Sequence, residues 1–224
     1  EQLNIGIVGA VGRGGSFKAF QSHPCARIHA VCDVREEGLQ ESADRLGAEE
    51  TYLGFEDMLE KSDIDAVVIG TPMPFHTPQA ALALEKGVHA LSEVTAAVSL
   101  EQCRELVNAA SASNAVYMMA ENFTYMKANV LVKELVRRGF FGEVYYAEGE
   151  YIHELKVLNE ITTWRRKWQT GIDGVTYCTH SLGPITQWMP DDRVARVCCV
   201  GSGHHYRDPR GDLYENQDSC VMLA

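Results

Sequence analysis

The first 120 residues alternate short apolar runs with stretches of helical periodicity. Runs rich in β-branched residues predict strands at residues 4–9, 27–33, 66–71, 89–93 and 116–121. Helical patterns fall between them, at residues 36–46, 77–86 and 100–113. Strands separated by helices indicate βαβ units, and therefore a parallel sheet with helices on both faces. Residues 66–70 are apolar at consecutive positions, as expected of a central strand covered on both sides.

The pattern changes after Asn122. A helix predicted at residues 130–138 ends before Gly139, which is a typical helix C-terminus. A long strand at residues 143–153 follows, then a helix at 180–188 between strands at 194–201 and 219–224. We predict an α/β domain over residues 1–122 and a substrate-binding α+β domain with a mainly antiparallel sheet over residues 123–224. The last strand runs into the end of the sequence, so we expect this second sheet to be incomplete.

Composition and charge narrow the class of ligand. The formal net charge is −11 and 46% of the residues are hydrophobic, which disfavours nucleic acid and anionic membranes and favours a small solute. There is no apolar run of about 18 residues, and residues 1–4 lead straight into a strand without a signal peptide. We therefore expect a cytoplasmic protein. The seven cysteines include no C-x-x-C pair, and we interpret them as structural thiols rather than metal ligands or disulfides.

A glycine-rich turn follows the first predicted strand. The sequence from Gly9 to Gly15 is GAVGRGG, and the next strand ends at Asp33. Such a turn brings backbone N–H groups and a helix N-terminus close to a pyrophosphate, while the acid accepts hydrogen bonds from a ribose. The spacing fits a Rossmann dinucleotide site, although Val11 stands at the position of the middle glycine. We assign the turn to the cofactor site through five residues: Gly9, Val11, Gly12, Arg13 and Gly14.

Asp33 favours NAD over NADP, because a carboxylate beside the ribose repels a 2′-phosphate. Arg35, two residues further on, acts in the opposite direction. Both cofactors therefore stay open, with NAD preferred.

Two further segments carry a family resemblance. Residues 71–76 read TPMPFH and residues 92–95 read SEVT, each after a predicted strand. With the glycine turn, they make the whole chain resemble the glucose-fructose oxidoreductase, inositol dehydrogenase and rhizopine-catabolism (Gfo/Idh/MocA) family of NAD-dependent enzymes. In that family both segments flank the nicotinamide. To the cofactor site we add Thr71, Pro72, His76, Glu93 and Asn122.

The second segment departs from the family pattern, which usually reads Glu-Lys-Pro. Val94 and Thr95 replace the lysine and the proline, and valine cannot take the proton of an alcohol. The sequence YCTHSLGP at residues 177–184 resembles one branch of the family, the NAD-dependent α-N-acetylgalactosaminidases, which also tend to lack this lysine. The resemblance implies oxidation at sugar C3, loss of the C2 proton to a base, elimination at C1, hydration and reduction. By matching positions, Tyr177 is the base, and His180 and Glu148 bind sugar hydroxyls or water.

Each of these assignments also has a purely structural alternative. Tyr177 and His180 share one face of a helical turn, but such a pair is often only packed. Alternation puts Glu148 on one face of its strand and His153 on the other, where His153 serves as a site or a core residue. His204 and His205 lack a third metal ligand and are interpreted as loop residues. The basic and aromatic residues 164–168 fit sugar stacking, an interface or a solvated loop equally well.

Three functions remain open. The first is an NAD-dependent oxidoreductase acting on a sugar or glycoside, the second a redox-neutral glycoside hydrolase, and the third a non-catalytic nucleotide-binding scaffold. The expected partners are a small carbohydrate substrate and further copies of the chain, joined through the C-terminal sheet. No metal, nucleic acid or membrane partner is expected.

Overall fold

The computed structural model describes residues 2–154, 156–161 and 173–224. The chain divides into two compact units, Glu1–Ala120 (unit 1) and Glu121–Ala224 (unit 2). Within the described residues, no helix is both long and apolar enough to cross a membrane.

Unit 1 contains a six-stranded parallel sheet with the strand order β3-β2-β1-β4-β5-β6. This confirms the predicted α/β class. One strand was not predicted, because β3 is three residues long and contains the polar Glu50 and Thr51. The strands are β1 (Leu3–Val8), β2 (Ala26–Cys32), β3 (Glu50–Tyr52), β4 (Ala66–Ile69), β5 (His89–Ser92) and β6 (Tyr117–Met119).

Four α-helices connect the strands of unit 1. They are α1 (Leu39–Leu46), α2 (Phe55–Lys61), α3 (His76–Glu85) and α4 (Leu100–Ala112). The Ser99 side chain caps α4 by accepting a hydrogen bond from the Gln102 N–H. Only α2 was not predicted, since its seven residues are too short for a clear period. The helix expected directly after the glycine turn is replaced by two short 3-10 turns, Arg13–Ser16 and Lys18–Ser22.

The hydrophobic core of unit 1 lies on both faces of the sheet. Val67 and Ile69 of β4 pack into one apolar cluster, while Val68 between them packs into the other. This alternation is expected because successive side chains of a strand point to opposite faces. Consecutive apolar residues in β4 therefore reflect helices on both sides.

Unit 2 combines helices with a small antiparallel sheet, as the predicted class required. The described helices are α5 (Lys127–Arg137), α6 (Lys156–Ile161) and α7 (Cys178–Trp188). Strand β7 (Cys198–Gly201) pairs antiparallel with β8 (Cys220–Leu223). Both strands are shorter than predicted, and α5 and α7 begin a few residues earlier.

The long strand predicted at residues 143–153 is wrong. Most of these residues are exposed, and none lies in a strand. Their alternating sequence fits a strand, but a strand is stabilised by hydrogen bonds to a neighbouring strand. The segment pairs with no strand in the described part of the chain.

Candidate functional site

The glycine turn of unit 1 closes against the end of β4. Gly9 has a φ of +80°, and a Cβ atom added to it would lie 2.6 Å from the Gly70 carbonyl oxygen. The Gly9 carbonyl accepts hydrogen bonds from the N–H groups of Gly12 and Gly14, each at 3.0 Å. Glycine is therefore required at position 9, both for its conformation and for the close approach of the backbone.

Asp33 ties this turn to the end of β2. Its side chain is buried, and Oδ2 accepts a hydrogen bond from the Val11 N–H at 3.0 Å. Oδ1 accepts from the Arg35 N–H and Nε at 3.0 and 3.1 Å. Val11, which breaks the glycine pattern, is thus joined to the predicted ribose-binding acid, and Arg35 partly neutralises that acid.

His76 links the loops that follow β4 and β5. The imidazole is buried, with Nδ1 2.7 Å from the Thr95 carbonyl oxygen and Nε2 2.8 Å from the Thr71 carbonyl oxygen. Burial lowers the pKa of His76, although the two carbonyl groups oppose this shift. The His76 side chain does not cap α3, the helix in which it is the first residue. It fixes the two segments that the family resemblance assigns to the nicotinamide.

Arg13 and Glu93 form an ion pair at the same sheet edge, with Arg13 Nε donating to Glu93 Oε1. Glu93 is buried, whereas 60% of the Arg13 side chain is exposed. The edge thus offers a glycine turn, an exposed guanidinium and a buried carboxylate, which suit the backbone, phosphate and ribose contacts of a dinucleotide. Of the predicted cofactor residues, unit 1 holds Gly9, Val11, Gly12, Arg13, Gly14, Asp33, Thr71, Pro72, His76 and Glu93 at the carboxyl ends of its strands. Asn122 lies in unit 2, where it is exposed at the start of the 3-10 turn Asn122–Tyr125.

Unit 2 contains a cluster of four rings, three of which lie against His180. We call it the ring cluster, and its members are Phe123, Tyr151, Tyr177 and His180. The Tyr177 and His180 rings stack with centroids 5.6 Å apart and an angle of 17° between their planes. Phe123 and Tyr151 lie against His180 at centroid distances of 4.4 and 4.5 Å. The structure therefore brings Tyr177 and His180 together, as their spacing predicted.

Glu121 holds the His180 ring in this cluster. Oε1 of Glu121 lies 2.8 Å from His180 Nδ1, and both side chains are buried. The same oxygen accepts a hydrogen bond from the Phe123 N–H at 3.0 Å. Oε2 of Glu121 is buried and has no hydrogen-bond partner among the described residues. A buried acceptor of this kind calls for a donor, such as a ligand hydroxyl.

Glu148 and His153 lie outside this core of buried groups. Both are exposed; Glu148 accepts a hydrogen bond from the Tyr146 hydroxyl, and His153 Nδ1 lies 2.9 Å from the Glu154 carbonyl oxygen. His153 still neighbours Tyr151, with ring centroids 5.9 Å apart. The basic and aromatic segment at residues 164–168 lies outside the described residues.

Sequence reasoning missed three members of this arrangement: Glu121, Phe123 and Tyr151. Glu121 comes two residues after the last strand of unit 1 in the sequence, and a residue just after a strand of an α/β sheet is a frequent ligand contact, so this sequence position was an available signal. Tyr151 comes two residues before His153, so it shares the face of the predicted strand that was assigned to His153, and this too was an available signal. Nothing in the sequence near Phe123 points to its contact with His180.

His204 and His205 bond to nearby backbone carbonyl groups, and no cysteine forms a disulfide in the described part of the chain. His204 Nδ1 lies 3.0 Å from the Tyr214 carbonyl oxygen, and His205 Nε2 lies 2.7 Å from that of Ser202. All seven cysteines are free thiols, and four of them are exposed. Burial raises the pKa of the Cys32 thiol to about 12. Across residues 2–154, 156–161 and 173–224, no group of three or more His, Cys, Asp or Glu side chains is arranged to hold a metal ion.

A doubly covered parallel sheet, with a glycine turn after β1 and an acid at the end of β2, defines a dinucleotide-binding protein. Residues 3–121, more than half of the chain, match the model of the Gfo/Idh/MocA oxidoreductase family with an NAD-binding Rossmann fold. The chain therefore belongs to this family, as its motifs predicted. Residues 125–206 match the model of the C-terminal domain of glycosyl hydrolase 109, which confirms the resemblance to the glycosidase branch.

Individual relatives agree with both matches. A glycosyl hydrolase family 109 protein from Shewanella pealeana is 34% identical over 214 residues, which cover 88% of this chain and 46% of that protein. The chain thus spans about half the length of the curated relatives it matches. The fold resembles that of scyllo-inositol dehydrogenase from Lactobacillus casei, solved with NAD(H) and scyllo-inositol (TM-score 0.82, 24% identity, 100% of this chain and 66% of that chain). It also resembles that of the WlbA dehydrogenase from Bordetella pertussis, solved with NADH and UDP-GlcNAcA (TM-score 0.82, 22% identity, 99% and 68% covered).

Proposed function

We propose that the chain forms part of an NAD-dependent oxidoreductase that acts on a ring carbon, C3, of a sugar or glycoside. The observation that carries this proposal is the buried Glu121–His180 pair inside the ring cluster. Aromatic faces suit sugar rings, and polar groups fixed among them suit sugar hydroxyls.

Unit 1 binds the dinucleotide in this proposal. The glycine turn and Arg13 take the pyrophosphate, Asp33 takes the adenosine ribose, and Thr71, Pro72, His76 and Glu93 border the nicotinamide end. When bound, NAD supplies the acceptor for a hydride from the sugar. Asn122 completes the cofactor contacts.

Unit 2 handles the proton. Glu121 accepts the Nδ1 proton of His180 and so sets the tautomer in which Nε2 is an acceptor for a sugar hydroxyl. In the oxidoreductase reaction, Tyr177 or His180 takes the hydroxyl proton as the hydride leaves the same carbon. In the hydrolysis of a glycoside, Tyr177, stacked on the His180 ring, removes the proton next to the oxidised carbon as a phenolate and becomes a neutral phenol. Glu148, exposed on its segment, binds a hydroxyl or water at the edge of the sugar.

Net hydrolysis of a glycoside is the second candidate outcome. The match of residues 125–206 to the glycosyl hydrolase 109 C-terminal domain favours it, as does valine at position 94. Hydride removal and return would then occur within each turnover, so no reduced cofactor accumulates.

A substrate panel tests the function and separates the two outcomes. The protein is incubated with NAD and with α- and β-linked p-nitrophenyl sugars and free sugars, while nitrophenolate and NADH are followed together. NADH from a free sugar supports the dehydrogenase, and nitrophenolate without net NADH supports the hydrolase. Dinucleotide binding with neither product would contradict both.

The cofactor is NAD rather than NADP in this proposal. Asp33 keeps a negative charge at the ribose end of the site, although Arg35 offsets part of it. Fluorescence titration of both cofactors should give the lower Kd for NAD, and Asp33→Asn should narrow the difference while keeping an acceptor for the Val11 N–H. Tighter binding of NADP to the wild type would mean that Arg35 dominates.

We also propose that copies of the chain associate through the β7–β8 sheet. Val200, Val221 and Leu223 on this sheet are each more than 60% exposed, and Val200 is paired with Val221. An apolar sheet face of this kind is typical of an interface. Val221→Glu should shift the sedimentation coefficient to that of the monomer, and an unchanged oligomer would place the interface elsewhere.

A further inference from the structure

The Arg13–Glu93 ion pair joins a buried carboxylate to an exposed guanidinium. Glu93 Oε2 accepts a hydrogen bond from the Val94 N–H at 3.1 Å, and the Glu93 N–H donates to the Ile69 carbonyl at 2.9 Å. The carboxylate is thus buried and held by the Val94 N–H, while the Glu93 backbone is bonded to the end of β4. The Arg13 guanidinium, by contrast, is 60% exposed at the end of a long side chain.

Arg13 also belongs to the turn that takes the pyrophosphate in the proposed function. A guanidinium recognises phosphate oxygens through paired N–H groups in a fixed fork. In this structure Nε, a member of that fork, is directed to Glu93 Oε1. The guanidinium cannot present the same N–H to the carboxylate and to a phosphate.

We propose that Glu93 competes with the dinucleotide pyrophosphate for Arg13, so that cofactor binding transfers Arg13 from the carboxylate to the phosphates. Glu93 is then a negative determinant of cofactor affinity, because it holds Arg13 away from the phosphates. This inference rests on the proposed dinucleotide binding. Under this inference, replacing Glu93 strengthens cofactor binding. If Glu93 contacted the ligand directly, replacing it would weaken binding.

Calorimetric titration of NAD and ADP-ribose tests the competition without any turnover. Glu93→Gln keeps an acceptor for the Val94 N–H and should lower both Kd values about fivefold, the scale of a partly exposed ion pair. Arg13→Gln should raise them about tenfold or more. In the Arg13→Gln background, Glu93→Gln should change the Kd less than twofold, because its effect acts through Arg13.

Two matched variants separate pairing from simple charge repulsion. Glu37→Gln removes an exposed carboxylate of unit 1 and should leave both Kd values within twofold. Glu93→Asp keeps the charge but withdraws the carboxylate from Arg13, so it should also tighten binding, and it serves if Glu93→Gln does not fold. Adenosine, which lacks the pyrophosphate, should bind all Glu93 variants equally.

Three results would overturn the inference. Weaker NAD binding by folded Glu93→Gln would mean that Glu93 contacts the ligand directly. Tightening that persists without Arg13 would mean charge repulsion alone. Failure of the wild type to bind either NAD or ADP-ribose would remove the proposed function, and the competition with it.

Discussion

The two units bury different kinds of side chain. Both apolar clusters of the described structure lie in unit 1, where strands β1, β2 and β4 contribute to each. In the described part of unit 2, the buried side chains include Glu121, His180 and Asp208, and many large apolar residues are exposed. Unit 1 is therefore stabilised mainly by its core, whereas the order of unit 2 depends more on a few polar and aromatic contacts. The difference separates residues that hold the fold from residues available for chemistry.

The largest expected effect contrasts two leucines. Leu84 is 1% exposed in the core of unit 1, and Leu131 of α5 is 59% exposed in unit 2. Leu84→Ala should lower the free energy of unfolding of unit 1 by about 2–5 kcal/mol, because it removes buried methyl groups and leaves a cavity. Leu131→Ala should change the free energy of unfolding by less than about 0.5 kcal/mol. Urea denaturation followed by far-UV circular dichroism measures both.

Tryptophan emission shows which unit responds. All three tryptophans, Trp164, Trp168 and Trp188, lie outside unit 1, so fluorescence follows unit 2 while circular dichroism follows both. Leu84→Ala should shift the dichroism transition more than the fluorescence transition. Equal losses of unfolding free energy in the two leucine variants would contradict the difference between the units.

The second effect concerns catalysis in the ring cluster. Tyr177→Phe removes one hydroxyl and keeps the ring stacked on His180, so we expect the fold and the NAD affinity to persist while turnover falls about a hundredfold or more. With a glycoside substrate, exchange of the C2 proton with deuterated solvent should also be lost. Turnover in the assay with the best substrate of the panel measures the change.

Tyr145→Phe is the matched control, because it removes the hydroxyl of a tyrosine that is 89% exposed. Its turnover should stay within a few fold of the wild type. If Tyr177→Phe behaves in the same way, Tyr177 is not the base and His180 becomes the leading candidate.

The same contrast explains what the sequence could predict of the fold. Apolar periodicity located five of the six strands of unit 1, because each is buried against helices and its pattern records that burial. β3 and α2 were missed because both are short. In unit 2 the alternation of residues 143–153 predicted a strand that is not formed, since alternation records a preference and not the presence of a partner strand.

The candidate site shows a similar limit. Tyr177 and His180 were predicted together because residues three apart share a helical face. Glu121 was missed because it lies 59 residues before His180 in the chain, and no periodic pattern connects residues so far apart. The Arg13–Glu93 ion pair was missed for the same reason, because its members are 80 residues apart. The sequence assigned each residue to the cofactor site but did not pair them.

The smallest expected effect is on the pH dependence of the stability of unit 1, and it concerns His76, a titratable group in its core. His76 is 1% exposed, and its burial lowers its pKa although the carbonyl groups of Thr95 and Thr71 and the charge of Glu93 oppose the shift. A histidine whose folded pKa lies below its unfolded value of about 6.5 binds its proton more readily when unfolded. Its neutral form therefore contributes stability that is fully present above pH 6.5 and is lost as the pH falls toward the folded pKa.

Unit 1 should lose stability from pH 7 to pH 5, and His76→Gln should flatten this dependence although it lowers the stability at pH 7. His23→Gln, at an exposed histidine of the same unit, should leave the slope unchanged. Urea denaturation at several pH values gives the slopes, and parallel profiles for His76→Gln and the wild type would assign the acid sensitivity to other groups.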